Sequence, residues 1–204
     1  MLRSTFFALR TRHLAVAAAV YFPLAVLMFG TGAGSLVAVR RACGGLPPFD
    51  VRGRWTLRDA EVMLTACGAA GRTAYAQQQL LDLAYPAALA ALLLVATALL
   101  VRPYGLRWWP VLVPAVAMTV LDYVENIGVW TLLLDGPHTH PAVITLAGAA
   151  TAVKRVLGFV AFTTPLLLVL IRLAAMLHRA VRRPKAVTTR TDSGTPTPAP
   201  STAP

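Results

Sequence analysis

LDYVENIGVW, residues 121–130, sets three polar residues in the middle of a run otherwise fit to cross a membrane. That run, from Pro110 to Leu134, exceeds the roughly 20 residues that span a hydrocarbon core of about 30 Å at about 1.5 Å per residue. Asp122, Glu125 and Asn126 stand at i, i+3 and i+4, so a helix projects all three from one face, with Thr119 a turn earlier. Two ionised carboxylates at mid-membrane cost about as much as the aliphatic residues of the run return, roughly 5 kcal/mol each way. Such a helix holds its place only if its acids are protonated, hydrated or paired inside a bundle.

Outward from this stretch lie three more apolar runs: Leu14 to Val39, about Leu80 to Val101, and one within Ala142 to Ile171. The 204 residues are 57% hydrophobic and 13% charged, against about 25% charged in soluble domains, and mean hydropathy is +0.64. The expected fold is an all-α membrane protein with four transmembrane helices and a short extracytoplasmic cap helix. A formal charge of +11 suggests a nucleic-acid partner only where basic side chains cluster on a soluble face. Here they flank apolar runs, so the partner expected is the lipid bilayer and no nucleic acid is expected.

Arg3, Arg10 and Arg12 precede a run far longer than the 7 to 15 residues, roughly, of a signal-peptide core, which reads as a retained anchor. With both termini cytoplasmic, these three join Arg102, Arg107, Arg172, Arg179, Arg182, Arg183, Lys185 and Arg190 on the inner side of the cytoplasmic (cell inner) membrane. The organisation that follows is a cytoplasmic N-terminus over 1–13, a multi-pass four-helix domain over 14–177, and a basic, then disordered, cytoplasmic tail over 178–204.

The outer segment, residues 40–72, contains Thr56 with Asp59 three residues on, a capping-box variant that predicts a helix from Leu57 to about Cys67, ended by GAAGR at 68–72. Cys43 and Cys67 fall in this segment, and their spacing leaves open whether they are bridged.

A second polar stripe, Arg72, Tyr75, Gln79 and Asp82, recurs at helical steps in the second span. Lys154 and Arg155 interrupt the fourth. Either they snorkel to the surface or they sit level with Glu125, and pairing sets three bases (Arg72, Lys154, Arg155) against three acids (Asp82, Asp122, Glu125). These residues with Asn126 form the candidate polar site between helices two, three and four; Asp122 and Glu125 are the catalytic candidates if there is a reaction. Gly30, Gly32 and Gly34 read as a close-packing helix face. Trp108, Trp109 and Trp130 are placed as interfacial anchors. His138 and His140 beside Asp135 read as a solvated turn, and no metal or cofactor is expected.

The runs PFDVRGRWT, GRTAY, LLDLAYP and LDYVEN, spread over residues 47 to 126, resemble a pattern in a group of small four-helix membrane proteins, mostly bacterial, with no known activity. The resemblance implies that Asp50, Arg52, Gly71, Arg72, Tyr75, Asp82, Tyr85, Pro86, Asp122, Glu125 and Asn126 act as a set. Two functional classes remain. One is a structural or small-ligand-binding membrane protein, alone, as a homo-oligomer or with a membrane partner. The other is a proton-coupled transporter or a membrane-embedded isomerase or hydrolase using the buried carboxylates.

Overall fold

The structure is a computed structural model in which residues 9–182 are described; most of the predicted tail and most of the N-terminal 1–13 segment lie outside the described residues. Five helices follow one another: α1 (Thr11–Phe29), α2 (Leu36–Ala42), α3 (Leu57–Val101), α4 (Val113–Asp135) and α5 (Pro141–Arg182). Single turns of 3-10 helix occupy Phe49–Val51, Arg102–Tyr104 and Gly136–His138, and a longer 3-10 stretch, Leu106–Leu112, leads into α4. Among the described residues there is no strand. Four helices, α1, α3, α4 and α5, are long and apolar enough to cross a membrane. The chain divides at Leu170, and everything described below belongs to the unit before that point.

The first apolar run is not one span from Leu14 to Val39. Helix α1 stops at Phe29, where the Gly30 N–H closes on the Val26 carbonyl, and a bend through Gly34 (φ 77°) turns the chain before Ser35 caps α2 by accepting from the Ala38 N–H at 3.1 Å. Gly30, Gly32 and Gly34 therefore lie in a bend and form no helix face. Gly34 alone uses its missing side chain for packing, since a Cβ there would stand 3.3 Å from the Gln77 carbonyl oxygen of α3.

Helix α3 begins at Leu57 with the capping box of Thr56 and Asp59. At Gly68 (φ 55°, ψ −159°) the backbone leaves the helical conformation, so α3 is two helices meeting at a kink, and the first of them ends where the GAAGR run predicts. A disulfide between Cys43 and Cys67 ties the end of α2 to the turn before this kink. Gly71 permits the approach, because a Cβ there would lie 2.9 Å from the Ala42 carbonyl and 3.0 Å from Cys43 Sγ.

Where α4 ends and α5 begins the core gathers aromatic rings: Phe49 stacks on Trp55 at 4.2 Å between centroids, and Tyr75, Val129, Leu132 and Ile144 pack around them. A second cluster joins Leu89 and Leu93 of α3, Ala115 and Met118 of α4, and Ala161 of α5. Small residues let the helices close. Gly128 of α4 faces Ala147 of α5, Gly148 lies against the Trp55 backbone, and a Cβ on Gly158 would stand 3.2 Å from Met118 Sδ.

Candidate functional site: a buried carboxyl cluster

Pro86 explains the first part of the site. Proline has no N–H, so the Asp82 carbonyl one turn back in α3 loses its helical donor, and a carbonyl without a donor in an apolar interior is costly. The Asn126 amide of α4 donates to that carbonyl at 3.1 Å, and the Tyr123 hydroxyl donates to the neighbouring Leu83 carbonyl at 2.9 Å. Asn126 is thus placed by a proline in another helix, which fixes the register of α4 on α3 and carries Asp122 and Glu125 to the level of Asp82.

Glu125 is fully buried and its charge is answered on both oxygens. Its Oε1 accepts from Thr151 Oγ at 2.7 Å, and Lys154 Nζ pairs with Oε2. Thr151 has a single hydroxyl proton and two acceptors in reach, Glu125 and the Ala147 carbonyl at 3.0 Å; the charged acceptor makes the stronger bond. The lone pair left on Thr151 accepts from Trp55 Nε1 at 2.9 Å, so a buried chain runs from the indole through the hydroxyl to the carboxylate. Lys154 also pairs with Asp122 and is bound by two acids at once.

Asp82 and Asp50 are treated differently. Asp82 is 4% exposed and its Oδ2 has no hydrogen-bond partner; both carboxylate oxygens of Asp50 are buried with none. Asp50 arrives on the Phe49–Val51 turn, which Tyr75 holds in place by accepting the Phe49 N–H at 2.8 Å. Burial, and then repulsion from Asp82 and Glu125, push the Asp50 carboxyl well above the usual carboxylate range.

Asp50, Asp82 and Asp122, with Arg52, Lys154 and Arg155, line one end of a cavity of about 330 Å3 whose other walls include Met28, Leu89, Met118 and Gly158, with Phe29, Phe159 and Phe162 beside them. Phe29, Phe159 and Phe162 are 55%, 72% and 48% exposed, so the apolar end opens on the side of the bundle.

The sequence-derived set is only partly assembled. Asp82, Asp122, Glu125, Asn126 and Lys154 meet as one group. Arg72 does not join it: its Nε donates to the Gly68 carbonyl at 3.3 Å, and its guanidinium lies by Gly136, a helical turn above Tyr75. Arg155 does not join it either, being exposed with its guanidinium beside Gly53. Of the three bases, Lys154 makes the ion pairs with these acids, and Arg155 lines the same cavity without one. Tyr75 serves the Phe49–Val51 turn, and Gln79 donates to Gln78 Oε1 at 3.2 Å while its own Oε1 stays unpartnered. His138 and His140 are exposed, in and just after the turn between α4 and α5.

Sequence reasoning over the site missed Trp55 and Thr151. Thr151 carried a signal, standing one turn before Lys154 on the same face. Trp55 carried none, since its contact crosses 96 residues of chain. No family model matches this chain, and no curated protein and no solved structure is significantly similar to it.

Proposed function

We propose that the chain is an integral membrane protein with four transmembrane helices and both termini in the cytoplasm, and that it binds a small ligand in the cavity between α3, α4, α5 and the turn that carries Asp50. One observation carries the ligand reading: Asp82 Oδ2 and both Asp50 carboxyl oxygens are buried at the cavity wall without donors. A polar network that existed only to fix helix register would satisfy its members, as Glu125, Thr151 and Trp55 are satisfied around it. Unpaired buried carboxyls lower stability, and they persist where a function uses them.

The outer segment, residues 40–72 with its disulfide, then caps the bundle, in keeping with an oxidising compartment outside the inner membrane. The resemblance to small four-helix membrane proteins favours the same architecture and is silent on the ligand. A second reading, proton-coupled transport or a membrane-embedded isomerase or hydrolase, draws on one feature: Lys154 bridges Asp122 and Glu125 at the edge of the cavity, an arrangement through which a proton can move.

Native mass spectrometry of protein released gently from membranes tests the ligand reading. A small-molecule adduct is expected on the wild type and not on Leu89→Trp, which fills the apolar end and leaves every carboxyl in place. Equal spectra with no adduct on either protein would refute it.

A further inference from the structure

The walls of the cavity restrict what it can hold. At its polar end the acceptors outnumber the donors: Asp50 Oδ1, Asp50 Oδ2 and Asp82 Oδ2 have no partner, and behind them Gln79 Oε1 and Asn126 Oδ1 are also empty-handed. The donors nearby are turned to other acceptors. Arg52 gives its Nε to the Pro47 carbonyl at 2.9 Å and its Nη2 to Met63 Sδ at 3.4 Å, with Nη1 toward Asp59 at 3.9 Å. Gln78 donates to Met28 Sδ, and Lys154 is held between Asp122 and Glu125. Of the three acids and three bases that line the cavity, Lys154 pairs with Asp122, and none of the three bases pairs with Asp50 or Asp82, whose carboxyls are left without a cation.

A complementary occupant brings positive charge and several N–H donors. A bare metal ion is a poor match, because among the described residues no three His, Cys, Asp or Glu side chains converge closely enough to hold one. The other end of the cavity asks for something different, since Met28, Leu89, Met118, Phe159 and Phe162 offer thioether and aromatic surface with no donor or acceptor beyond weak sulfur. At about 330 Å3 the space lies at the small end of ligand pockets, which run from about 300 to 1,000 Å3.

We propose that the cavity binds an organic ammonium with an apolar, ring-bearing body, its N–H donors on Asp50 and Asp82 and its body along Leu89, Met118 and Phe162. This deepens the ligand-binding reading and rests on it. The side opening past Phe159 admits a molecule already dissolved in the bilayer, which suits an amphiphilic amine better than a small hydrophilic cation.

The experiment titrates the purified full chain in detergent, by calorimetry at neutral pH, with 2-phenylethylamine and with its uncharged counterpart 2-phenylethanol, on the wild type and on Asp82→Asn. The amine is expected to bind saturably and at least about ten-fold more tightly than the alcohol, and Asp82→Asn is expected to remove most of that difference while leaving the alcohol unchanged. If Asp82→Asn does not fold, Asp50→Asn carries the same expectation. Equal binding of amine and alcohol, unaffected by either substitution, would overturn the ammonium assignment and leave the ligand site standing. Saturable binding of neither would count against both.

Discussion

Asn126 shows how one side chain can be dictated by a residue in another helix. Its amide replaces the donor that Pro86 withholds from the Asp82 carbonyl. Asn126→Leu should therefore cost about 1–3 kcal/mol of stability, the penalty of a buried acceptor left alone. In a Pro86→Ala background, where the helix supplies its own N–H, the same substitution should cost clearly less. Melting temperatures of the four proteins in one detergent measure this, and purely additive effects would refute the account. Asp50 has a consequence for pH. Its carboxyl is raised in the fold, so the protonated form is favoured there; the associated stability is complete below the unfolded value near 3.8 and is lost as pH rises through the folded value. The wild type should melt higher at mildly acid than at alkaline pH, and Asp50→Asn should flatten part of that slope. The helical spacing of Asp122, Glu125 and Asn126 was legible in the sequence because it is local. The arrival of Asp50 was not, since it depends on a turn held by Tyr75 26 residues away.

Elements are positioned here by glycines as much as by apolar faces. Gly148 lets α5 lie directly on the Trp55 backbone, and this contact brings the Trp55 indole to Thr151 and so to Glu125. Gly148→Val cannot be accommodated without moving that segment, and should lower stability by about 1–3 kcal/mol as overpacking does, by thermal melting. Gly32→Ala, at a position with open space around it, should leave the melting temperature unchanged. Hydropathy located all four long helices, because length and composition survive any rearrangement of neighbours. It misplaced the end of α1, because a glycine bend inside an apolar run leaves hydropathy almost unaltered; the breaking signal at Gly30 to Gly34 was present and was taken for a packing face. At Gly68 the break was legible, because a glycine-rich run supplies the one positive-φ residue at which the two halves of α3 meet in a kink.

For the whole molecule, the basic residues and the disulfide-bearing segment argue for one orientation. A single cysteine placed in the 178–204 tail of a Cys43→Ser/Cys67→Ser protein should resist a membrane-impermeant maleimide in intact cells and react once the cells are opened; labelling from outside would reverse the topology. In the bundle interior Asp122, Glu125 and Lys154 are paired across helices, whereas Asp82 Oδ2 is unpaired, which the proposed ligand reading explains. Thermal melting of Lys154→Met beside Asp82→Asn, both ligand-free in the same detergent, tests it most directly. Lys154→Met leaves two acids uncompensated and should lose about 3–5 kcal/mol, whereas Asp82→Asn removes an unpaired buried carboxyl and should melt at or above the wild type. A fall in Asp82→Asn as large as that in Lys154→Met would contradict the account, placing Asp82 among the structural groups.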